Sequence, residues 1–198
     1  MNSGIVNDLK LHFEKKVELT KAESDELLSA FKEKSIRKKQ YIIQPEFIPR
    51  HRNYVAKGTL RAYVIDTKGA DQTIQFAIED WWITDYNSYV NQIPATMFVE
   101  AMEDSIVLQI DYESELALKT SSHKFETIFR MMAERTASFL QRRIMSSLTQ
   151  SAEERYYDFL EKYPLVVQRL PQYALASYLG MTTEFLSKIR NNRLKKKD

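Results

Sequence analysis

Residues 170–193 read LPQYALASYLGMTTEFLSKIRNNR, and in them two short amphipathic segments meet at one glycine. Leu175, Ala176 and Leu179 fall on one helical face, and Pro171 suits a first turn, where a missing N–H costs nothing. Gly180 ends this segment, because glycine adopts the left-handed conformation at little steric cost. Thr182 then caps a second segment that has Glu184 in its first turn, where a carboxylate is favourable. In that segment Leu186 and Ile189 point one way, while Thr183, Glu184, Ser187, Lys188 and Asn191 form one polar face. Carboxylate, amide, hydroxyl and ammonium groups together can pair with base edges in a major groove wide enough to admit a helix. A solvated surface helix has the same composition, so the surrounding chain has to separate the two readings.

With 198 residues, 43% of them hydrophobic and 28% charged, the chain has an ordinary globular composition. It contains no cysteine, which excludes disulfides, thiolate metal sites and a cysteine-ligated iron–sulfur cluster. There is no apolar run of membrane-spanning length and no charged-then-apolar start, so a cytoplasmic protein without membrane association is expected. The formal charge of +2 is unevenly divided. Residues 151–198 hold nine Lys/Arg against six Asp/Glu, and Lys188, Arg190, Arg193, Lys195, Lys196 and Lys197 lie beyond Gly180. A basic excess there suits contact with a polyanion; a solubilising tail is the plainer reading.

The first forty residues read as helical, with Leu9, Phe13 and Val17 at four-residue spacing and Leu27, Leu28 and Phe31 after a Thr20-x-x-Glu23 capping box. His12, among charged neighbours, reads as a surface histidine. From Tyr41 the pattern changes to strands, interrupted at Pro45-Glu46-Phe47-Ile48-Pro49. Arg50-His51-Arg52 reads as a loop of solvated charges, with an anion site as the sharper alternative. Gly58 closes a strand, residues 60–65 and 73–78 alternate in character around Asp66-Thr67-Lys68-Gly69, and a β-hairpin results. Trp81 and Trp82 follow as core or edge anchors. Residues 99–111 give a closing strand, and a short connecting segment comes next. Phe125, Ile128, Met132, Thr136, Phe139, Arg143 and Ser147 then recur at alternating spacings of three and four, flanked by Phe129, Leu140, Ile144 and Leu148. This is a long helix whose apolar seam suits coiled-coil pairing with a second copy. Packing on its own sheet is the alternative, and both can hold along different parts of the helix.

The helix, tight turn and helix of residues 170–193 resemble the helix-turn-helix of the Crp/Fnr family of bacterial transcription factors. Upstream, Ser151-Ala152-Glu153-Glu154-Arg155-Tyr156 resembles that family's link between dimer helix and DNA-binding domain, and residues 58–82 resemble the core of its ligand-sensing β-roll. The resemblance covers almost the entire chain. It departs in one place: the family's cyclic-nucleotide binders keep a short helix opening with Gly-Glu and, further on, an arginine for the phosphate. Here the corresponding residues are Thr84-Asp85-Tyr86 and Pro94-Ala95-Thr96-Met97. Without the arginine a buried cyclic phosphate lacks its counter-charge, and Asp85 repels it.

The resemblance implies an α+β fold: a jelly-roll-like antiparallel β-roll with N-terminal helices over residues 1–111, a connecting segment and long dimer helix over 112–150, and a helix-turn-helix over 151–198. The seven residues between Tyr163 and Pro171 leave a reduced or absent β-hairpin wing. It further implies a homodimeric transcriptional regulator that binds double-stranded DNA and whose roll senses a small molecule other than cyclic AMP, with RNA polymerase a further candidate partner. By analogy Thr183, Glu184 and Lys188 take the base-reading positions, with Thr182, Ser187 and Asn191 beside them, and Gln172, Tyr173, Arg190 and Arg193 are candidate phosphate contacts. Thr84, Asp85, Tyr86 and Thr96 are the candidate effector residues. Phe125, Ile128, Met132, Thr136, Phe139 and Arg143 form the candidate dimer face. A protein-interaction module that does not bind DNA specifically is the alternative function. No catalytic site, metal or cofactor is expected, since His12, His51 and His123 stand in three unrelated contexts.

Overall fold

In the computed structural model, which describes residues 3–195 and side chains as far as Asn192, the chain forms two compact units. One comprises residues up to Ala62 with Gln75–Ala137; the other comprises Tyr63–Ile74 with residues from Ser138 onward. The division falls inside the long helix and inside the hairpin.

Eight strands are described: β1 (Lys32–Ile36), β2 (Tyr41–Ile43), β3 (His51–Lys57), β4 (Leu60–Ile65), β5 (Asp71–Ala77), β6 (Trp82–Ile83), β7 (Phe98–Ala101) and β8 (Ser105–Asp111). They form two four-stranded sheets, ordered β1-β8-β3-β6 and β2-β7-β4-β5, and the pairings β1–β8, β3–β8, β3–β6 and β2–β7 are antiparallel. Strand alternation sorts the side chains. Ile36, Val55, Ile83 and Val107 of the first sheet share a buried cluster with Ile43, Leu60, Ala62, Ala77, Val99 and Ala101 of the second, so this core lies between the sheets. Gly58, at φ +102°, joins β3 to β4 at a point where a Cβ would fall 2.8 Å from the Cα of Ser105. No other residue type fits there.

The opposite face of the first sheet, carrying Tyr54, Leu108 and Ile110, is covered by α1 (Ser3–Glu14), α2 (Lys21–Ser29), α4 (Tyr112–Ser121) and the first part of α5 (His123–Thr149). Leu9, Phe13, Leu27, Phe31, Leu118, Phe125, Ile128, Phe129 and Met132 fill that second core. The capping box at Thr20 forms as expected: the Thr20 hydroxyl accepts from the Glu23 N–H at 3.3 Å and the Glu23 carboxylate from the Thr20 N–H at 2.7 Å.

Several expectations change. Residues 32–36 are an edge strand rather than helix, because pairing with β8 supplies what the KEKSI sequence, with only Ile36 buried, does not advertise. The segment after β8 is a ten-residue helix, α4, capped by Asp111, whose carboxylate accepts from the Ser114 N–H. His12 is half-buried rather than a surface residue. Its Nε2 accepts from Trp82 Nε1 at 3.1 Å within a cluster of Phe13, Tyr54 and Trp82 rings, and burial first, then Lys16, lowers its pKa to about 4. Phe125, Ile128 and Met132 lie in the core of their own unit at 5% exposure or less, so they are not free to face a second copy. The apolar seam read from the sequence is, over this half, the seam of a helix packed on its own sheet.

The second unit contains α6 (Ala152–Lys162), α7 (Pro164–Arg169), α8 (Gln172–Leu179) and α9 (Thr183–Lys195). Ser151 and Glu154 form a second capping box at the start of α6. α7 occupies most of the span between Tyr163 and Pro171, and among the described residues no strand follows β8.

Candidate nucleic-acid interface

α8 and α9 are built around buried Ala174, Leu175, Ala176, Leu179, Leu186 and Ile189, with Tyr156 and Phe159 of α6 and Val166, Val167 and Leu170 of the α7 region also buried. The turn between them is set locally. Gly180 takes φ +67° and ψ +42°, and its N–H returns to the carbonyls of Ala176 and Ser177, ending α8 in the left-handed cap. A Cβ on Gly180 would meet only Arg155 Nη2, at 3.6 Å, so the glycine answers a backbone demand and not a lack of space. Arg155 completes the turn by donating from Nε to the Leu179 carbonyl at 2.9 Å and from Nη1 to the Gln150 carbonyl at 2.7 Å. Thr182 starts α9: its hydroxyl accepts from the Phe185 N–H at 3.2 Å.

The polar residues of this region divide into two groups. Thr182 is engaged as the cap. Ser187 donates to the Thr183 carbonyl at 3.0 Å and accepts from Gln172 Nε2 at 2.6 Å, so Ser187 and Gln172 tie the start of α8 to α9 instead of facing outward unbonded. Thr183 is half-buried and Tyr173 half-exposed. By contrast Glu184, Lys188, Arg190 and Asn191 are exposed and make no hydrogen bond or ion pair to other described residues. Glu184, Lys188 and Asn191 follow one another at spacings of four and three, which places them on one stripe of α9. The side chains of Arg193 and Lys195, and residues Lys196 and Lys197 entirely, lie outside the described residues.

Arg143, a candidate for the dimer face, is instead engaged inside its own unit. Its guanidinium donates to the carbonyls of Ile74, of Thr73 at 2.9 Å and of Tyr178 at 3.2 Å, and stacks 4.2 Å from the centre of the Tyr178 ring. Ser177 beside it donates to the Asp71 carbonyl at 2.6 Å and accepts from the Thr73 N–H at 2.8 Å. The tip of the β4–β5 hairpin is thus bonded to the first helix of the pair. Sequence reasoning assigns Ser177 no role and holds Arg155 only as part of the 151–156 link; an arginine in a mostly apolar seam is the one available signal for Arg143. Of the remaining dimer-face candidates Thr136 is exposed and Phe139 half-buried.

The candidate effector residues sit in the first unit around α3 (Tyr86–Asn91). Asp85 is fully buried and caps this helix: Oδ1 accepts from the Ser88 N–H at 3.2 Å, and Oδ2 from the Thr96 N–H at 2.8 Å and hydroxyl at 3.2 Å. Thr84 donates to the His51 carbonyl at 3.1 Å. The Tyr86 ring centre lies 5.3 Å from the guanidinium carbon of buried Arg52, which also lies over Trp82 and pairs with Glu115 at 3.1 Å. Tyr89 donates to the same Glu115 carboxylate at 3.0 Å. Each of Thr84, Asp85, Tyr86 and Thr96 therefore has a partner within the chain, and the donors that would greet an anion here already hold a carboxylate.

Among solved structures the chain is similar to FixK2 from Bradyrhizobium japonicum at 17% identity and a TM-score of 0.73, over 84% of this chain and 85% of that one. It is similar to a CooA variant from Carboxydothermus hydrogenoformans at 17% identity and 0.69, over 93% and 84%. With the catabolite activator protein of Thermus thermophilus the figures are 18% and 0.56, over 93% and 87%. The fold is that of the Crp/Fnr regulators. No protein-family model and no curated protein sequence matches the chain. The Crp/Fnr-type fold thus stands on structure: two antiparallel sheets and their helices, in an α+β arrangement. No described helix is long and apolar enough to cross a membrane.

Proposed function

We propose that the chain is a homodimeric, sequence-specific DNA-binding transcriptional regulator, with residues 1–111 as sensor, 112–150 as connection and dimer helix, and 151–198 as a helix-turn-helix domain. One observation carries the reading. α9 is anchored from within by Leu186 and Ile189 and fixed in direction by Gly180, Thr182 and the Gln172–Ser187 bond, while Glu184, Lys188 and Asn191, on its outer stripe, have no partner among the described residues. Rigid positioning of unsatisfied polar groups is what direct readout of base edges requires. Arg190, Arg193, Lys195, Lys196 and Lys197 supply the sequence-independent phosphate attraction.

The pairing surface belongs on the later part of α5, where Leu140, Ile144 and Leu148 form one line at 43%, 59% and 79% exposure. Such a line of apolar side chains on a long helix suits burial against its own copy. Cyclic AMP does not fit as the effector, because Asp85 already occupies the donors and adds a like charge.

In-vitro selection from random duplex tests the proposal. It should enrich an inverted repeat with half-site centres roughly one or two helical turns apart, about 10 bp each. If selection enriches no motif, the interaction-module reading takes its place.

A further inference from the structure

The sheet face that forms the core between the two sheets does not stay apolar along its length. Cross-strand partners share a face, and the register pairs Lys34 with Val107, Val55 with Val107, Asn53 with Gln109 and His51 with Asp111. Proceeding along β3 and β8 from Val55 and Val107, the same inward face changes to the amides Asn53 and Gln109 and then to His51 and Asp111. A core has no use for such groups. Asn53, Gln109 and His51 line a cleft of about 290 Å³, closed on its other side by Ile43 and by the loop bearing Phe47 and Ile48.

Both walls are held in place. Asn53, buried to 1% exposure, donates to the Ile83 carbonyl at 3.0 Å and accepts from Gln109 Nε2 at 2.6 Å, which fixes the amide floor. The loop is bonded to Ala95 from two sides: the Ala95 N–H donates to the Phe47 carbonyl at 2.9 Å, and the Glu46 N–H donates to the Ala95 carbonyl at 3.2 Å. Phe47 and Ile48 are nevertheless left 69% and 45% exposed. Lys34 and Arg50 line the cleft and make no ion pair with other described residues, and no carboxylate lines it. Burial lowers the pKa of His51; Asp111, its cross-strand partner on β8, raises it, and Lys34, Lys32 and Arg50 lower it further.

We infer that this cleft binds a small organic acid: a carboxylate or sulfonate carried on a one- or two-ring apolar body. The acid group lies between Lys34 and Arg50, where a charge-assisted bond supplies orientation, and the ring lies against Ile43, Phe47 and Ile48. The volume is at the lower end of small-ligand sites, about 300–1,000 Å³. None of Thr84, Asp85, Tyr86 and Thr96 lines it, so the site is separate from the α3 region. It gives the sensor role proposed above a ligand class, and it rests on that role only for its consequence, since binding is read on the protein itself and fails or holds independently of any DNA selection.

The test titrates 1-naphthoate into the full-length, 15N-labelled chain and follows the side-chain amides of Asn53 and Gln109 with the backbone amide of His51. Saturable shifts at these three are expected. Lys34→Ala/Arg50→Ala should weaken binding about tenfold or more, a loss of about 1.4 kcal/mol, with circular dichroism unchanged because both residues are exposed. Lys34→Arg/Arg50→Lys should restore it. Neutral 1-naphthalenemethanol should bind as weakly as naphthoate binds the alanine variant. Shifts that do not saturate, shifts that map elsewhere, or equal binding of acid and alcohol would each overturn the assignment.

Discussion

Asp85 and Glu184 are both acidic residues at the start of a helix, and they have opposite uses. Asp85 is fully buried and accepts three hydrogen bonds, two from backbone N–H groups and one from Thr96. Glu184, in the first turn of α9, is exposed and bonded to no described residue. A helix start favours a carboxylate in both cases, so helix electrostatics alone does not distinguish them. The difference lies in whether the fold satisfies the group. A polar atom satisfied internally stabilises the chain and is closed to partners; one held rigidly and left unsatisfied stabilises nothing and is open to them.

The largest effect that sharpens this contrast is on stability. Asp85→Ala strands the Ser88 and Thr96 N–H groups in a buried place, at roughly 1–3 kcal/mol for each unsatisfied donor, and should lower the free energy of unfolding by about 2–4 kcal/mol. Glu184→Ala should change it by less than about 0.5 kcal/mol, as surface substitutions do. Urea denaturation of both variants measures the pair. Equal effects would remove the distinction.

A second contrast runs along α5. Its early half buries Phe125, Ile128, Phe129 and Met132, and its later half exposes Leu140, Ile144 and Leu148. Phe129→Ala should cost about 3–5 kcal/mol of folding stability. Ile144→Glu should leave the monomer folded and abolish pairing. Analytical ultracentrifugation at micromolar concentration separates these outcomes, and a wild type that sediments as a monomer would sink the dimer proposal.

On the DNA side the contrast inverts. Glu184→Ala and Lys188→Ala, neutral for stability, should each cost about 1–3 kcal/mol on the best site and relax preference at the bases they face. Ser187→Ala should act chiefly by loosening α8 against α9. Repeating the selection with each variant reads this directly. A motif that survives Glu184→Ala and Lys188→Ala unchanged would take base reading away from this stripe.

These contrasts also mark what was legible in the sequence. Gly180, Thr182, Leu186 and Ile189 act over one or two helical turns, and the hairpin around Gly69 is equally local, so both were readable from spacing. β1 was not, because KEKSI owes its strand to β8, some seventy residues away. Arg143 read as a seam residue because its partners, Thr73 and Ile74, are 70 and 69 positions distant. The cleft residues Lys34, Arg50 and Gln109 come together only through sheet register. Phe125 and Ile144 carry the same heptad-like signal, and only the presence of α1, α2 and the sheet beside the first distinguishes a core seam from a free one.

His12 provides the smallest and most specific test of an engaged polar group, since its engagement can be titrated. Its Nε2 accepts from Trp82 Nε1, which a doubly protonated imidazole cannot do, and its folded pKa is lowered from 6.5 to about 4 by burial and by Lys16. Between those values the unfolded chain binds the proton more readily than the folded one. Stability is therefore full above pH 6.5 and falls as pH drops toward 4, by on the order of 1–3 kcal/mol for this group after allowance for its partial exposure. His51, also lowered by burial, contributes in the same direction. The informative quantity is consequently the difference between wild type and His12→Gln, in which the amide oxygen still accepts from Trp82 and cannot be protonated in this range. Urea denaturation at pH 7 and pH 4.5 should show wild type losing more stability than the variant, while both keep the same exposed stripe on α9. If the two lose stability in parallel, His12 is as open to solvent as its sequence context suggests, and its hydrogen bond to Trp82 is not part of what holds α1 on the sheet.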